Sequence, residues 1–148
     1  MKETIKNLKK VIREVKSTLK EMSEKQWNKS KEKGKWSKRK ILGHLVDSAQ
    51  NNIRRFVVTQ YQLDVPHIIY DQEKWVELQG YKDYPTKDLL QLWLVLNDHL
   101  IRLMENMPEE NYEKLCNTGK IFSEQHTLAW LAEDYVNHMK HHLGQIIS

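Results

Sequence analysis

The sequence predicts an all-α fold, a four-helix bundle with a long crossover between its second and third helices. Three observations predict it. Apolar residues recur at helical spacing in four separate segments of about twenty residues each. Only five Gly and three Pro are present, too few for the closely spaced turns of a β-sandwich or for a disordered chain. Breakers cluster in residues 63–85, where Pro66, Gly80 and Pro85 separate the second apolar stripe from the third. A connection of that length allows a non-sequential topology. At 148 residues the chain is expected to form one helical-bundle domain, residues 1–148, large enough for a real core.

The elements follow in order. Ile5, Leu8, Ile12, Val15, Leu19 and Met22 form a narrow apolar stripe, which predicts an amphipathic first helix over residues 4–22. Residues 28–35 are polar and without periodicity, hence a connector. Ser37 is placed to cap the second helix, with Trp36 before it as a hydrophobic staple. That helix, roughly 38–62, carries Leu42, Leu45, Ala49, Ile53 and Phe56 on its apolar arc. His44 lies off the arc, with Ser48, Asn51, Asn52 and Arg55 on a flanking polar strip that periodicity leaves at the surface.

Within the crossover, residues 71–78 form a short amphipathic piece that Asp71 is placed to cap. Its aromatics, Tyr70, Trp75, Tyr81 and Tyr84, read as covers for a bundle end before they read as pocket walls. Thr86 is expected to cap the third helix, which runs to about Met107 with Leu89, Leu92, Trp93, Leu96, Leu100 and Leu103 inward. Pro108 ends it, Gly119 marks a turn in the next connector, and Thr127 opens a fourth helix over about 127–147.

Charge and cysteine content narrow the function classes. The net charge is +4, but residues 1–40 hold 15 Lys/Arg against 5 Asp/Glu, while residues 41–148 hold 9 against 15. A basic arm on an acidic body can bind nucleic acid. No zinc finger, RNA motif or convincing helix-turn-helix accompanies it, so a solvated helix face is preferred and nucleic acid is not the expected partner. The single cysteine, Cys116, excludes an internal disulfide and reads as an incidental thiol near a loop. No segment has the apolar run of a membrane span, and Met1-Lys2-Glu3-Thr4 leads into a charged helix rather than a signal-peptide core. A cytoplasmic protein is expected.

The chemistry-bearing residues are histidines. His138 and His142 stand one helical turn apart, so both rings can turn a nitrogen to one point. The pair also fits two polar residues at the edge of a bundle core, and spacing alone does not decide between these. The apolar arc of the fourth helix contains Leu128, Leu131, Tyr135, Met139, Leu143 and Ile146; His138 and His142 sit at its edge, with Asp134 and Gln145 just beyond. His141 crowds the same turn but is rotated about 60° from His138 and about 100° from His142. A third imidazole from another helix would complete a three-nitrogen site with open positions, the arrangement of a catalytic metal. Met139 and Lys140 follow His138, so no His-Glu-x-x-His protease motif is present. Asp47 and Asp134 lie near these histidines in sequence, either orienting an imidazole or, the preferred reading, facing solvent.

Three blocks carry a family resemblance: Trp36-Ser37 with Ile41-Leu42-Gly43-His44-Leu45-Val46-Asp47-Ser48, then Tyr70-Asp71-Gln72 with Trp75-Val76, then Tyr135 to Ile146 around His138-Met139-Lys140-His141-His142. In these the chain resembles the DinB/YfiT-like superfamily of bacterial helical-bundle metalloenzymes. The resemblance implies a four-helix bundle holding a divalent metal, Zn, Ni or Fe, on three histidines. The matching positions are His44, His138 and His142, with His141 beside the last ligand and outside the triad. It implies that His44 faces a polar cavity between helices, which Ser48, Asn52 and Arg55 would line. It also implies a small-molecule substrate and chemistry in which a low-molecular-weight thiol or water is the nucleophile, with thiol S-transferase and hydrolase both in range. The chain stops three residues after Gln145, where many relatives continue, so no pocket wall from a C-terminal extension is expected. The other classes in view are a non-catalytic bundle acting as a binding or stress-response module and a nucleic-acid-associated protein. A homodimer is an admissible assembly.

Overall fold

A computed structural model describes residues 1–148. Four long helices carry the bundle: α1 (Lys2–Glu21), α3 (Lys38–Tyr61), α5 (Thr86–Asn106) and α6 (Leu128–Ile147). Two short helices, α2 (Glu24–Trp27) and α4 (Gln72–Leu78), and an antiparallel hairpin of β1 (Leu115–Asn117) and β2 (Gln125–Thr127) lie in the connections. No helix is long and apolar enough to cross a membrane.

The topology is not up-and-down. α3 packs against α5 and α6, and α1 packs against the same two, so α1 faces α3 across one diagonal and α5 faces α6 across the other. The long crossover after α3 joins two adjacent helices. The diagonal steps are made instead by residues 22–37, which include α2, and by residues 107–127, which include the hairpin.

Cap chemistry sets most boundaries. The side-chain oxygens of Ser37, Asp71 and Thr127 accept from the backbone amides of Lys40, Lys74 and Trp130, which starts α3, α4 and α6 where the sequence predicts. Thr86 is a correction. It is the first residue inside α5, with Pro85 at the cap position, and its hydroxyl accepts from the buried Arg39 guanidinium instead. Arg39 also meets Glu24 and Asn28, tying α2, α3 and α5 together at one end of the bundle. The single turn of α2 lies between the expected first helix and the connector, in residues for which no element is expected; Ser23 and Gln26 close a reciprocal capping box around it.

One cluster of 31 buried apolar residues spans all four long helices. On α5 its inward arc is broader than the expected stripe, with Leu90, Leu94, Ile101 and Met104 buried and Leu92, Leu96 and Leu103 only half-buried. A helix held between α1 and α3 buries two flanks rather than one. On α3 every residue from Leu42 to Ala49 is buried, because α5, α6, α4 and the 3-10 turn at Tyr81–Asp83 cover it from several sides. The polar strip with His44, Ser48, Asn51 and Asn52 is therefore inside the molecule, against the reading from periodicity. Cys116 is buried in β1, not loose in a loop.

Candidate metal centre

α3 brings His44 into the bundle and α6 brings His138 and His142 to meet it. The three residues each offer one ring nitrogen, and these atoms all lie within 4.8 Å of one another. His44 Nε2 stands 3.0 Å from His138 Nε2. Ring centroids are 5.0 Å (His44–His138), 4.7 Å (His44–His142) and 4.5 Å (His138–His142) apart, with interplanar angles of 74°, 77° and 77°. Three nearly perpendicular rings meet like the faces of a corner, their nitrogens at its vertex. His44 has no exposed surface, while His138 and His142 are half-buried. The indole of Trp36, expected as a staple, lies 5.2 Å from the His44 ring and roofs it.

Burial keeps these rings neutral. Desolvation, aided by the neighbouring His138 and His142, lowers the His44 pKa to about 3. Desolvation, with His142, His141 and Arg55 nearby, lowers that of His138 to about 4. His142 is lowered chiefly by desolvation, and its hydrogen bond to Gln145 opposes the shift. With the Gln145 amide oxygen as acceptor at 2.8 Å, His142 carries its proton on Nδ1 and leaves the Nε2 lone pair free. The Gln145 amide nitrogen lies 3.3 Å from His141 Nε2, so His141, which is exposed, stands outside the triad.

The two carboxylates part company. Asp47 is fully buried rather than solvent-facing, yet it bonds no imidazole: Oδ1 accepts from the Tyr81 hydroxyl at 2.6 Å and the Gln79 amide at 2.7 Å. Burial raises its pKa, and those two bonds oppose the rise. Asp134 is exposed, as preferred, at the rim of a cavity. That cavity, about 160 Å³, is lined by Ser48, Asn52, Arg55 and Asp134, and His138 is the one histidine of the three on its wall. Ile69, Tyr70, Gln72, Thr118, Lys120 and Tyr135 complete the wall, and the sequence reading marks none of them as a preferred lining residue. Tyr70 was visible as one of the crossover aromatics. Thr118 and Lys120 flank Gly119, where the sequence marks a turn, but they reach the site only through the hairpin, whose strands the sequence does not signal. Gln145 was noted beside the apolar arc, but its hold on His142 depends on rotamers that spacing does not specify.

The resulting chemistry is a neutral, three-nitrogen donor set beside a polar cavity that His138 lines, with the Trp36 indole against His44. Relatives carry names consistent with that chemistry. A protein of Bacillus cereus, provisionally named a metal-dependent hydrolase, is 27% identical over 135 residues, covering 91% of this chain and 76% of its own. A protein of Bacillus anthracis with the same provisional name is 28% identical over 138 residues at the same coverage. Among solved structures, YfiT from Bacillus subtilis, described as a probable metal-dependent hydrolase with an unusual four-helix bundle topology, is similar with a TM-score of 0.87 at 25% identity. That likeness covers 98% of this chain and 82% of YfiT. The family model of the DinB superfamily matches residues 7–146, nearly the whole bundle including all three histidines, and the chain belongs to that superfamily.

Proposed function

We propose that His44, His138 and His142 hold a divalent metal and that the protein is a metal-dependent enzyme acting on a small molecule, hydrolase-like in the sense of its relatives' provisional names. The observation that carries this reading is the convergence of three neutral ring nitrogens within 4.8 Å beside a cavity.

The residues fit such a group. Two Nε2 atoms 3.0 Å apart can share at most one proton between them, whereas a cation at the vertex would take both lone pairs. Nδ1 of His44 is buried without a partner, a cost that a cation on the other nitrogen of that ring would have to offset. Imidazole donors suit Zn, Ni or Fe better than Mg or Ca, which prefer oxygen. Three protein ligands leave positions open, the pattern of a catalytic rather than a structural site.

A bound divalent cation would supply Lewis acidity, polarising a substrate oxygen and stabilising an anionic nucleophile at neutral pH. The chain supplies the rest. Gln145 fixes the ring of His142, and Trp36 packs beside the fully buried ring of His44. Ser48, Asn52 and Tyr70 offer polar groups to a substrate in the cavity. Water is the nucleophile of a hydrolase. A low-molecular-weight thiol is the second form of the same proposal, and the cavity, about 160 Å³, has room for more than a water.

The test is metal analysis of protein purified without a His-tag or chelating column. About one divalent equivalent per chain is expected, lost in His44→Ala, together with metal-dependent turnover of a panel of esters and electrophiles assayed with and without a thiol. Wild-type protein that takes up no divalent metal would refute the proposal.

A further inference from the structure

Arg55 carries a positive charge into the cavity that no carboxylate neutralises by direct contact. Its Nε and Nη2 both lie within reach of the Ile68 carbonyl, at 3.1 and 3.0 Å, which fixes the guanidinium plane and leaves Nη1 uncommitted. The ring of Tyr70 lies 5.9 Å from it, a cation–π contact on the same wall. Arg55 takes part in no ion pair: Asp134 lines the same cavity but does not come within salt-bridge distance. Lys120 adds a second cation at the wall, and Ser48 and Thr118 add hydroxyl donors. Free guanidinium nitrogen, a nearby ammonium and hydroxyls form the donor set that planar or tetrahedral oxyanions recognise.

The spacing along α3 gives the ligand a length. His44, Ser48, Asn52 and Arg55 follow one another turn by turn, and Ser48 to Arg55 spans roughly 10 Å at 1.5 Å per residue. The volume, about 160 Å³, is close to that of a cavity that accommodates benzene. We propose that this cavity selects small molecules bearing an oxyanion, a carboxylate or a phosphate, held by Arg55 and Lys120 at the end two turns beyond Ser48. The reacting group then lies at the His138 end. The inference rests on the three-histidine reading for the place of that reacting group.

The experiment titrates the full chain, metal-free and metal-loaded, with succinate, inorganic phosphate and uncharged succinamide, with metal content measured on the same samples. At least one anion is expected to bind the metal-free protein at least tenfold more tightly than succinamide, and the tighter anion identifies the group. Arg55→Gln should weaken that binding at least tenfold. Asp134→Asn, an exposed substitution, should tighten it severalfold by removing a competing charge. Affinities of succinate and of phosphate that both fail to exceed that of succinamide overturn the inference, as does unchanged binding in folded Arg55→Gln. If Arg55→Gln does not fold, unchanged or weaker binding in Asp134→Asn overturns it. Anion binding that requires metal and ignores Arg55 also overturns it and leaves the metal reading standing. Arg55-dependent binding in a protein that takes up no metal sinks the metal reading alone.

Discussion

Gly43→Ala is a single-methyl change at a helical position, and by propensity alone it should stabilise α3 by up to about 1 kcal/mol. The structure predicts the opposite sign. A Cβ at Gly43 would lie 2.2 Å from Cδ2, 2.3 Å from Cγ and 2.7 Å from Cε2 of Tyr81. Carbon pairs rest at about 3.5–4.0 Å, so the ring must retreat by more than about 1 Å. Tyr81 is 2% exposed and cannot retreat into solvent. Its displacement also strains or breaks the 2.6 Å hydrogen bond from its hydroxyl to Asp47. Overpacking costs about 1–3 kcal/mol and loss of a hydrogen bond to a carboxylate about 1.5–3 kcal/mol. Against the propensity gain, the net loss is about 2–5 kcal/mol, or a fall in Tm of roughly 6–15 °C for a chain of this length.

Thermal unfolding of Gly43→Ala, Tyr81→Ala and the double variant measures this directly. Removing the ring removes the clash, so in the Tyr81→Ala background the Gly43 substitution should be neutral or stabilising. The cycle should therefore return a coupling of at least about 2 kcal/mol. Gly43→Ala with a Tm equal to or above that of the parent would refute the account of why this position is glycine.

Four further outcomes are expected. His138→Ala and His142→Ala should each abolish most metal uptake while the chain stays helical, and His141→Ala should keep it; equal losses at all three, measured by metal stoichiometry, would contradict the proposed triad. Gln145→Ala should lower metal affinity about tenfold by releasing the His142 ring, and Gln145→Glu, which keeps an acceptor, should retain most of it. The lowered pKa values of His44 and His138, about 3 and about 4, mean that the unfolded chain takes up protons below about pH 6.5 that the fold refuses. Stability of the metal-free protein should hence be greatest above that pH and fall towards pH 4 by up to about 1.4 kcal/mol per pH unit for each ring, and a flat Tm between pH 7 and 5 would contradict this. Tyr135→Phe should cost about 1–3 kcal/mol by urea unfolding, because it strips the buried Asn97 Oδ1 of the hydroxyl that donates to it at 2.6 Å.

The parts of the fold that were legible in the sequence are those fixed by local chemistry. Ser37, Asp71 and Thr127 each combine a cap oxygen with an apolar repeat that follows at once, and each starts a helix as read. Thr86 shows the limit of the rule, since a hydroxyl that can cap can also be taken by a distant partner, and Arg39 takes this one. The hairpin escaped for a different reason. Three-residue strands are too short to display alternation, and their placement depends on a contact with residues far upstream, where Asn117 bonds to Pro66 and Ile68. The length of the crossover allows a non-sequential topology, but the diagonal steps are made at residues 22–37 and 107–127, because loop length permits a crossing without requiring one.

The site divides along the same line. The i,i+4 spacing of His138 and His142 was readable from helix geometry, but His44 lay off the apolar arc of α3 and belonged, by period, with the surface. Periodicity reports which face of a helix is oily; it does not report what lies against the other faces. On α3 the opposite face is covered by α6 and the crossover, so a polar strip is enclosed, and only the resemblance placed His44 correctly. That enclosure is costly. His44 Nδ1 and Asp47 Oδ2 are buried without hydrogen-bond partners, each a penalty of about 1–3 kcal/mol. Apolar packing must offset it, and one cluster of 31 buried apolar residues joins all four long helices. A bundle held together in this way should remain folded when its metal is removed, which is why loss of metal and loss of fold are expected to separate in the histidine variants.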